Sequence, residues 1–220
     1  MSRRLRIDVF FDFICPWCLI GKRQLEHAQV QFRSRHPDVQ ITTVWHGVQL
    51  LPQIPVEGEP FADFYRKRLG NADAMTMRQK QVQQAASAVG LAIDLSRIET
   101  MPNTADAHRL FERVSELGNA SQREMVLERL FAAYFLRREN LGCRETLLAI
   151  ARSCGIAPDG LLDCLKGDAT PFDGSPDATS GVPSFQFDGR MTVIGAQPAQ
   201  ALLGAMNEAL KESDRERQPA

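Results

Sequence analysis

No apolar stretch in this chain of 220 residues approaches the roughly 18–20 residues that cross a bilayer. No apolar leader core follows the basic start Met1-Ser2-Arg3-Arg4 either, because Leu5-Arg6-Ile7-Asp8 alternates at once. Neither a membrane partner nor a secretory signal is expected, which points to a cytoplasmic protein. Charge of one sign is also lacking: 26 Lys and Arg stand against 27 Asp and Glu. With no basic surplus to neutralise phosphates, nucleic acid and anionic membrane surfaces are poor partners. Cysteine is scarce and odd in number, five in all, which does not fit a disulfide-stapled secreted scaffold. Internal repeats and low-complexity tracts are missing. Apolar residues are not, at 44%, and a chain of this length buries about 70% of its unfolded surface. One large domain, or one domain carrying an insertion, is expected.

Leu5, Ile7, Val9 and Phe11 alternate with Arg6, Asp8 and Phe10, a strand pattern. Phe10 and Phe13 make its second face partly apolar, as in a strand covered on both sides. Pro16 suits a first helical turn, and good helix formers run on to Phe32. Pro37-Asp38 breaks the run, and Val39, Ile41, Thr43 and Trp45 alternate as a second strand. The first fifty residues therefore read as a βαβ unit. The middle of the chain reads as five or six amphipathic helices. Pro60 opens one with Phe61, Phe64, Tyr65 and Leu69, closed near Gly70, and Val82, Ala85, Ala86 and Val89 mark the next. Thr104 reads as the N-cap of a helix carrying Ala107, Leu110, Phe111 and Val114. Ser121-Gln122-Arg123-Glu124 reads as a capping box, and shorter helices are expected over Arg144–Cys154 and Pro158–Lys166. Thr170 to Val182 has linker composition. Ser184–Phe187 and Met191–Ile194 flank Asp188-Gly189-Arg190 as a hairpin. Pro198 starts a last helix, whose charged end, Lys211–Ala220, is expected to fray.

Cys15-Pro16-Trp17-Cys18 falls at the strand-to-helix junction. Unpaired amides and the macrodipole at a helix start favour a thiolate at Cys15. A thiolate attacks a disulfide, and a second cysteine one turn on can release the mixed disulfide. Half a zinc site and plain packing compete with this reading. No second C-x-x-C or spaced histidine pair completes a four-ligand site, so no metal is expected. Cys15 is expected to present the exposed sulfur and Cys18 the shielded one. Gly181-Val182-Pro183-Ser184 precedes the hairpin, and a proline at a strand start belongs at an edge, a turn or a cis bond.

The segment Phe10–Gly21, FFDFICPWCLIG, resembles the active-site segment of the FrnE-like branch of DsbA-type thioredoxin-fold proteins. So do Pro102-Asn103-Thr104 with Ala107-His108-Arg109-Leu110, Ala133-Tyr134-Phe135, Gly181-Val182-Pro183 with Phe185, and Gly195-Ala196-Gln197-Pro198. The resemblance implies an α/β thioredoxin-like fold, βαβ…ββα, interrupted by a large helical insertion. Residues 1–55 and 170–220 would form the thioredoxin-like domain and residues 56–169 the insertion. It further implies a cis Val182–Pro183 bond, catalytic Cys15 and Cys18, and substrate contacts from Trp17, Val182, Pro183, Asn103 and Thr104. Trp17 stands where DsbA carries histidine, which implies a less oxidising pair. The wider group includes 2-hydroxychromene-2-carboxylate isomerases and kappa-class glutathione transferases, which typically have serine where this chain has cysteine.

The leading function is thiol–disulfide exchange with protein or low-molecular-weight disulfides or thiols. It requires no cofactor beyond a redox-active Cys15–Cys18 disulfide, with glutathione as an optional co-substrate. The alternative is a glutathione-dependent isomerase or transferase acting on an aromatic or polyketide-like substrate, and a third reading is a chaperone-like binding module. Oligomeric state stays open, a homodimer included. Cys154 and Cys164 lie among leucines and read as core, while Cys143 precedes a helix and reads as the most exposed of the three; a regulatory disulfide among them stays open. His108 reads as a surface or capping residue.

Overall fold

The computed structural model describes residues 3–168, 170–174 and 181–217. Its elements in chain order are β1 (Arg3–Phe11), α1 (Pro16–Arg35), β2 (Val39–Gly47), β3 (Glu59–Pro60), α2 (Phe61–Leu69), α3 (Ala72–Ser87), β4 (Thr100–Met101), α4 (Ala105–Leu117), α5 (Ala120–Phe135), α6 (Arg144–Ser153), β5 (Ser184–Phe187), β6 (Met191–Ile194) and α7 (Ala199–Arg217). The chain divides into two compact units. One comprises Met1–Phe11, Trp17–Val48 and Ser175–Ala220, the other Asp12–Pro16 and Gln49–Gly174.

The first unit is built on a sheet of order β2-β1-β5-β6. β1 pairs parallel with β2, Arg3 opposite Val39 and Phe11 opposite Gly47, and antiparallel with β5, Val9 opposite Phe185. The parallel pair is what a helical crossover such as α1 produces. Leu5, Ile7 and Val9 share one face of β1 by the two-residue period, and they join Leu25, Ala28 and Phe32 of α1 in one buried cluster. Leu202, Leu203, Met206 and Leu210 of α7 belong to the same cluster. The expected thioredoxin-like order, βαβ then ββα with a helical block inserted between, is present. The hairpin turn sits where its sequence placed it. Asp188 and Gly189 adopt positive φ, +49° and +69°, and Asp188 Oδ1 accepts the Arg6 amide at 2.7 Å, locking the turn to β1. α7 runs to Arg217, and residues 218–220 of the segment expected to fray lie outside the described residues. Arg3 holds Asp214 in an ion pair, and Lys211 pairs with Glu208, so this segment has partners that its composition alone does not reveal.

The second unit holds α2 to α6 and a two-residue β3–β4 pairing. α2 ends at Gly70, φ +82°, whose amide returns to the Arg66 carbonyl, the left-handed cap that glycine adopts without a Cβ penalty. The expected capping box lies two residues too late. Asn119 caps α5, its side chain accepting the Gln122 amide while Gln122 reaches back to the Asn119 amide. Asn caps as well as Ser, and Gln122 at the third position completes the reciprocal pair. Pro158–Lys166 does not form the expected helix: only Pro158–Gly160 make a single 3₁₀ turn. Side chains satisfy the backbone there instead. Arg144 donates to the Leu165 and Leu162 carbonyls at 3.0 and 3.1 Å, and the Asp106 carboxylate accepts the Lys166 and Gly167 amides at 3.0 and 2.8 Å. Residues 175–180 of the expected linker lie outside the described residues. No helix among the described residues is long and apolar enough to cross a membrane.

Candidate active site

Within the first unit, Cys18 stands in the opening turn of α1 and is 1% exposed. Trp17 beside it is half-buried. One turn further, α1 presents Gly21 rather than a side chain, and this admits the loop before β5. A Cβ at Gly21 would lie 3.2 Å from Pro183 Cγ and 3.0 Å from Phe185 Cζ. The Val182–Pro183 peptide is cis. Pro183 is buried, Val182 half-buried, and the Pro183 carbonyl accepts the Gly195 amide at 2.7 Å. Lys22, almost as buried as Cys18, pairs with Glu26 one turn along the helix. Asp8 on β1 accepts His46 Nε2 at 2.6 Å and both Arg6 nitrogens at 2.7 and 2.6 Å. Burial pushes its carboxyl up, but Arg6 and His46 together hold it below the usual aspartate value.

Within the second unit, Cys15 closes a turn by donating its amide to the Asp12 carbonyl at 3.1 Å. Pro16 follows as the first residue of α1. Cys15 is not the exposed residue expected: it is 8% exposed, more than Cys18 but still buried. A polar network converges on its turn. Asp12 Oδ2 accepts the Leu50 amide at 2.8 Å, and Oδ1 lies 3.1 Å from His108 Nε2. Both side chains are fully buried, so His108 is no surface residue. Its ring stacks on Phe172 and tilts against Phe13, both at 5.0 Å between centroids. Tyr65 of α2 lies within electrostatic reach of Cys15. Burial pushes its phenol up, Arg78 pulls it back, and the charge of Cys15 adds to the upward push. Tyr134, buried near Tyr65 and Asp12, is driven well above the ordinary phenol value, mainly by burial. Both shifts are away from ionisation, and Tyr134 donates to Met101 Sδ at 3.7 Å.

Asn103 and Thr104 precede α4 and are buried. Asn103 donates to the Ile54 carbonyl at 2.6 Å and accepts the Ala105 amide at 2.9 Å and Gln49 Nε2 at 3.0 Å. The first-turn amide is thus capped by Asn103, while Thr104 makes no side-chain cap. Cys143 sits at the N-cap of α6, its thiol 3.1 Å from Glu145 Oε2. Cys154 is buried at the other end of that helix. The rise between the two, about 1.5 Å per residue over the helix, exceeds disulfide reach. Cys164, expected in the core, is half-buried, its thiol 3.2 Å from the Leu161 carbonyl. Burial pushes that thiol up.

The family model described as DSBA-like thioredoxin domain matches residues 6–172. The probable DsbA oxidoreductase SCO1869 from Streptomyces coelicolor is 25% identical with a TM-score of 0.77, covering 98% of this chain and 92% of its own. A 2-hydroxychromene-2-carboxylate isomerase aligns with a TM-score of 0.61 at 15% identity, covering 97% of this chain and 100% of that one. The cytosolic disulfide reductase DsbM from Pseudomonas aeruginosa, in a structure with GSH, aligns with a TM-score of 0.52 at 13% identity, covering 96% and 98%. In sequence, the uncharacterized protein YwbO of Bacillus subtilis is 24% identical over 152 residues, 69% of this chain and 67% of YwbO.

Proposed function

Because this chain belongs to the DsbA-like thioredoxin-domain family of oxidoreductases, we propose that it exchanges thiols and disulfides through Cys15 and Cys18. The observation that carries this reading is their placement: one cysteine immediately ahead of α1, the other in its first turn. The positive end of the helix macrodipole at that turn favours negative charge. In the reducing direction, the Cys15 thiolate attacks one sulfur of a substrate disulfide. A mixed disulfide forms, and the second substrate sulfur leaves as a thiolate that takes up a proton. Cys18 then loses its proton and attacks Cys15 Sγ. The Cys15–Cys18 disulfide forms, the remaining substrate thiol leaves, and two electrons and two protons have passed to substrate. Two molecules of a thiol such as glutathione, leaving as their disulfide, or one external dithiol, return the pair to its reduced state, and the same steps in reverse oxidise a dithiol substrate. Trp17, Val182 and Pro183 are proposed to contact the substrate.

Placement in the FrnE-like branch is part of the same proposal and is supported by the CPWC segment and the matching segments along the chain. Glutathione as a co-substrate is supported by the chemistry of the pair and by the DsbM structure, which contains GSH. The isomerase likeness favours a second reading, in which Cys15 orients glutathione for addition to an aromatic substrate. Two cysteines, where that chemistry needs at most one, favour exchange. Insulin reduction with glutathione as reductant, run beside calorimetry with glutathione, separates the two. Turnover that requires both cysteines is expected. Tight glutathione binding without redox turnover would overturn exchange.

A further inference from the structure

We propose that Asp12 and His108 are positioning residues for the Cys15 nucleophile. The inference deepens the exchange reading and rests on it. Asp12 reaches Cys15 through the main chain, its carbonyl accepting the Cys15 amide at 3.1 Å. Its carboxylate is held from two other segments, by the Leu50 amide at 2.8 Å and by His108 Nε2 at 3.1 Å, with the Ile14 amide at 3.4 Å from Oδ1. Oδ1, which accepts the Ile14 amide, also accepts from His108 in the ring tautomer protonated at Nε2. The imidazole is fixed in turn by Phe172 on one side and Phe13 on the other, and by its place in α4. The turn that sets Cys15 at the start of α1 is therefore clamped by a fully buried pair.

Burying such a pair is a poor route to stability alone, because desolvation offsets much of the attraction. Its bonds instead converge on the residues just before the nucleophile, where small displacements weigh heavily. A misplacement of about 1 Å at a reacting group costs up to about 100-fold in rate.

The test is iodoacetamide alkylation of the reduced protein, followed by peptide mapping, with Cys143 as an internal reference in the same unit. His108→Leu removes the donor, His108→Gln keeps an N–H donor at similar reach, and Asp12→Asn weakens the acceptor. Urea melts establish that each variant is folded at the assay temperature. In His108→Leu the Cys15 rate is expected to fall at least about tenfold with Cys143 unchanged, and His108→Gln to recover most of it. If His108→Leu does not fold, Asp12→Asn carries the test, with a smaller fall at Cys15 alone. A folded variant whose Cys15 rate matches wild type, or whose Cys15 and Cys143 rates move in parallel, overturns the proposal. Alkylation needs no disulfide substrate. A wild-type protein that fails to exchange disulfides would overturn the exchange reading while leaving this result legible.

Discussion

A single methyl group at Gly21 measures how closely α1 and the proline loop are fitted. In an unencumbered helix interior, Gly→Ala stabilises by about 1 kcal/mol. Here the added Cβ would stand 3.0 Å from Phe185 Cζ and 3.2 Å from Pro183 Cγ, whereas carbon pairs settle at about 3.5–4.0 Å. Phe185 does not yield easily, being fully buried in the sheet–helix cluster, and Pro183 Cγ can give only by a change of pucker in a buried ring. Overpacking of this kind costs about 1–3 kcal/mol, so Gly21→Ala should be destabilised by about 1 kcal/mol net. For a chain of this size that lowers Tm by about 2–4 °C. Urea denaturation at unchanged slope reads the stability, and insulin reduction should fall with it, because Pro183 moves relative to the helix that carries Cys18. A variant about 1 kcal/mol more stable than wild type and fully active would refute the close fit.

The Asp8 carboxyl is held below its unfolded value, so its contribution to stability is present above about pH 3.9 and is lost as pH falls through the lower folded value. Arg6 is more than half exposed, so solvent screening keeps the contribution modest. Asp8→Asn should flatten the decline in urea midpoint between about pH 5 and pH 2, and an unchanged decline would remove Asp8 from the explanation. Asn103→Ala should cost about 3 kcal/mol, since buried groups deprived of a partner cost about 1–3 kcal/mol each. Its KM for a disulfide substrate should stay level, and a raised KM at unchanged stability would make Asn103 a substrate contact instead. Cys15→Ser should abolish exchange, because a serine hydroxyl is not ionised near neutrality; residual exchange would place the nucleophile elsewhere.

The framework of the first unit was legible because its signals are local. Alternation at Leu5, Ile7 and Val9, the break at Pro37, and Asp188-Gly189 between two apolar runs each depend on a few adjacent residues. Where tertiary partners decide, local reading fails. Asp106 and Arg144 satisfy the backbone around Leu162–Gly167 and leave no helix there. Arg3 pairs with Asp214 in the charged segment of α7, a partner that composition does not show. At the candidate site the cysteine pair was legible from its place at a helix start, but Asp12 and His108 lie 96 residues apart and carry no joint pattern. One signal was available: Asp12 sits in a run of apolar residues, Phe10 to Ile14, where a polar side chain needs a buried partner. The burial of Cys15 was not legible, because a cysteine just ahead of a helix carries no local sign of what covers it.

The central claim, that Cys15 attacks and Cys18 resolves, is tested most directly by trapping the intermediate. Without Cys18 the mixed disulfide has no intramolecular exit, so Cys18→Ser incubated with oxidised glutathione should accumulate one adduct. A companion variant lacking Cys143, Cys154 and Cys164 should behave as wild type. Peptide mapping by mass spectrometry is expected to place the glutathione on Cys15. An adduct on Cys143, or none at all, would contradict the assignment of the chemistry to this helix start.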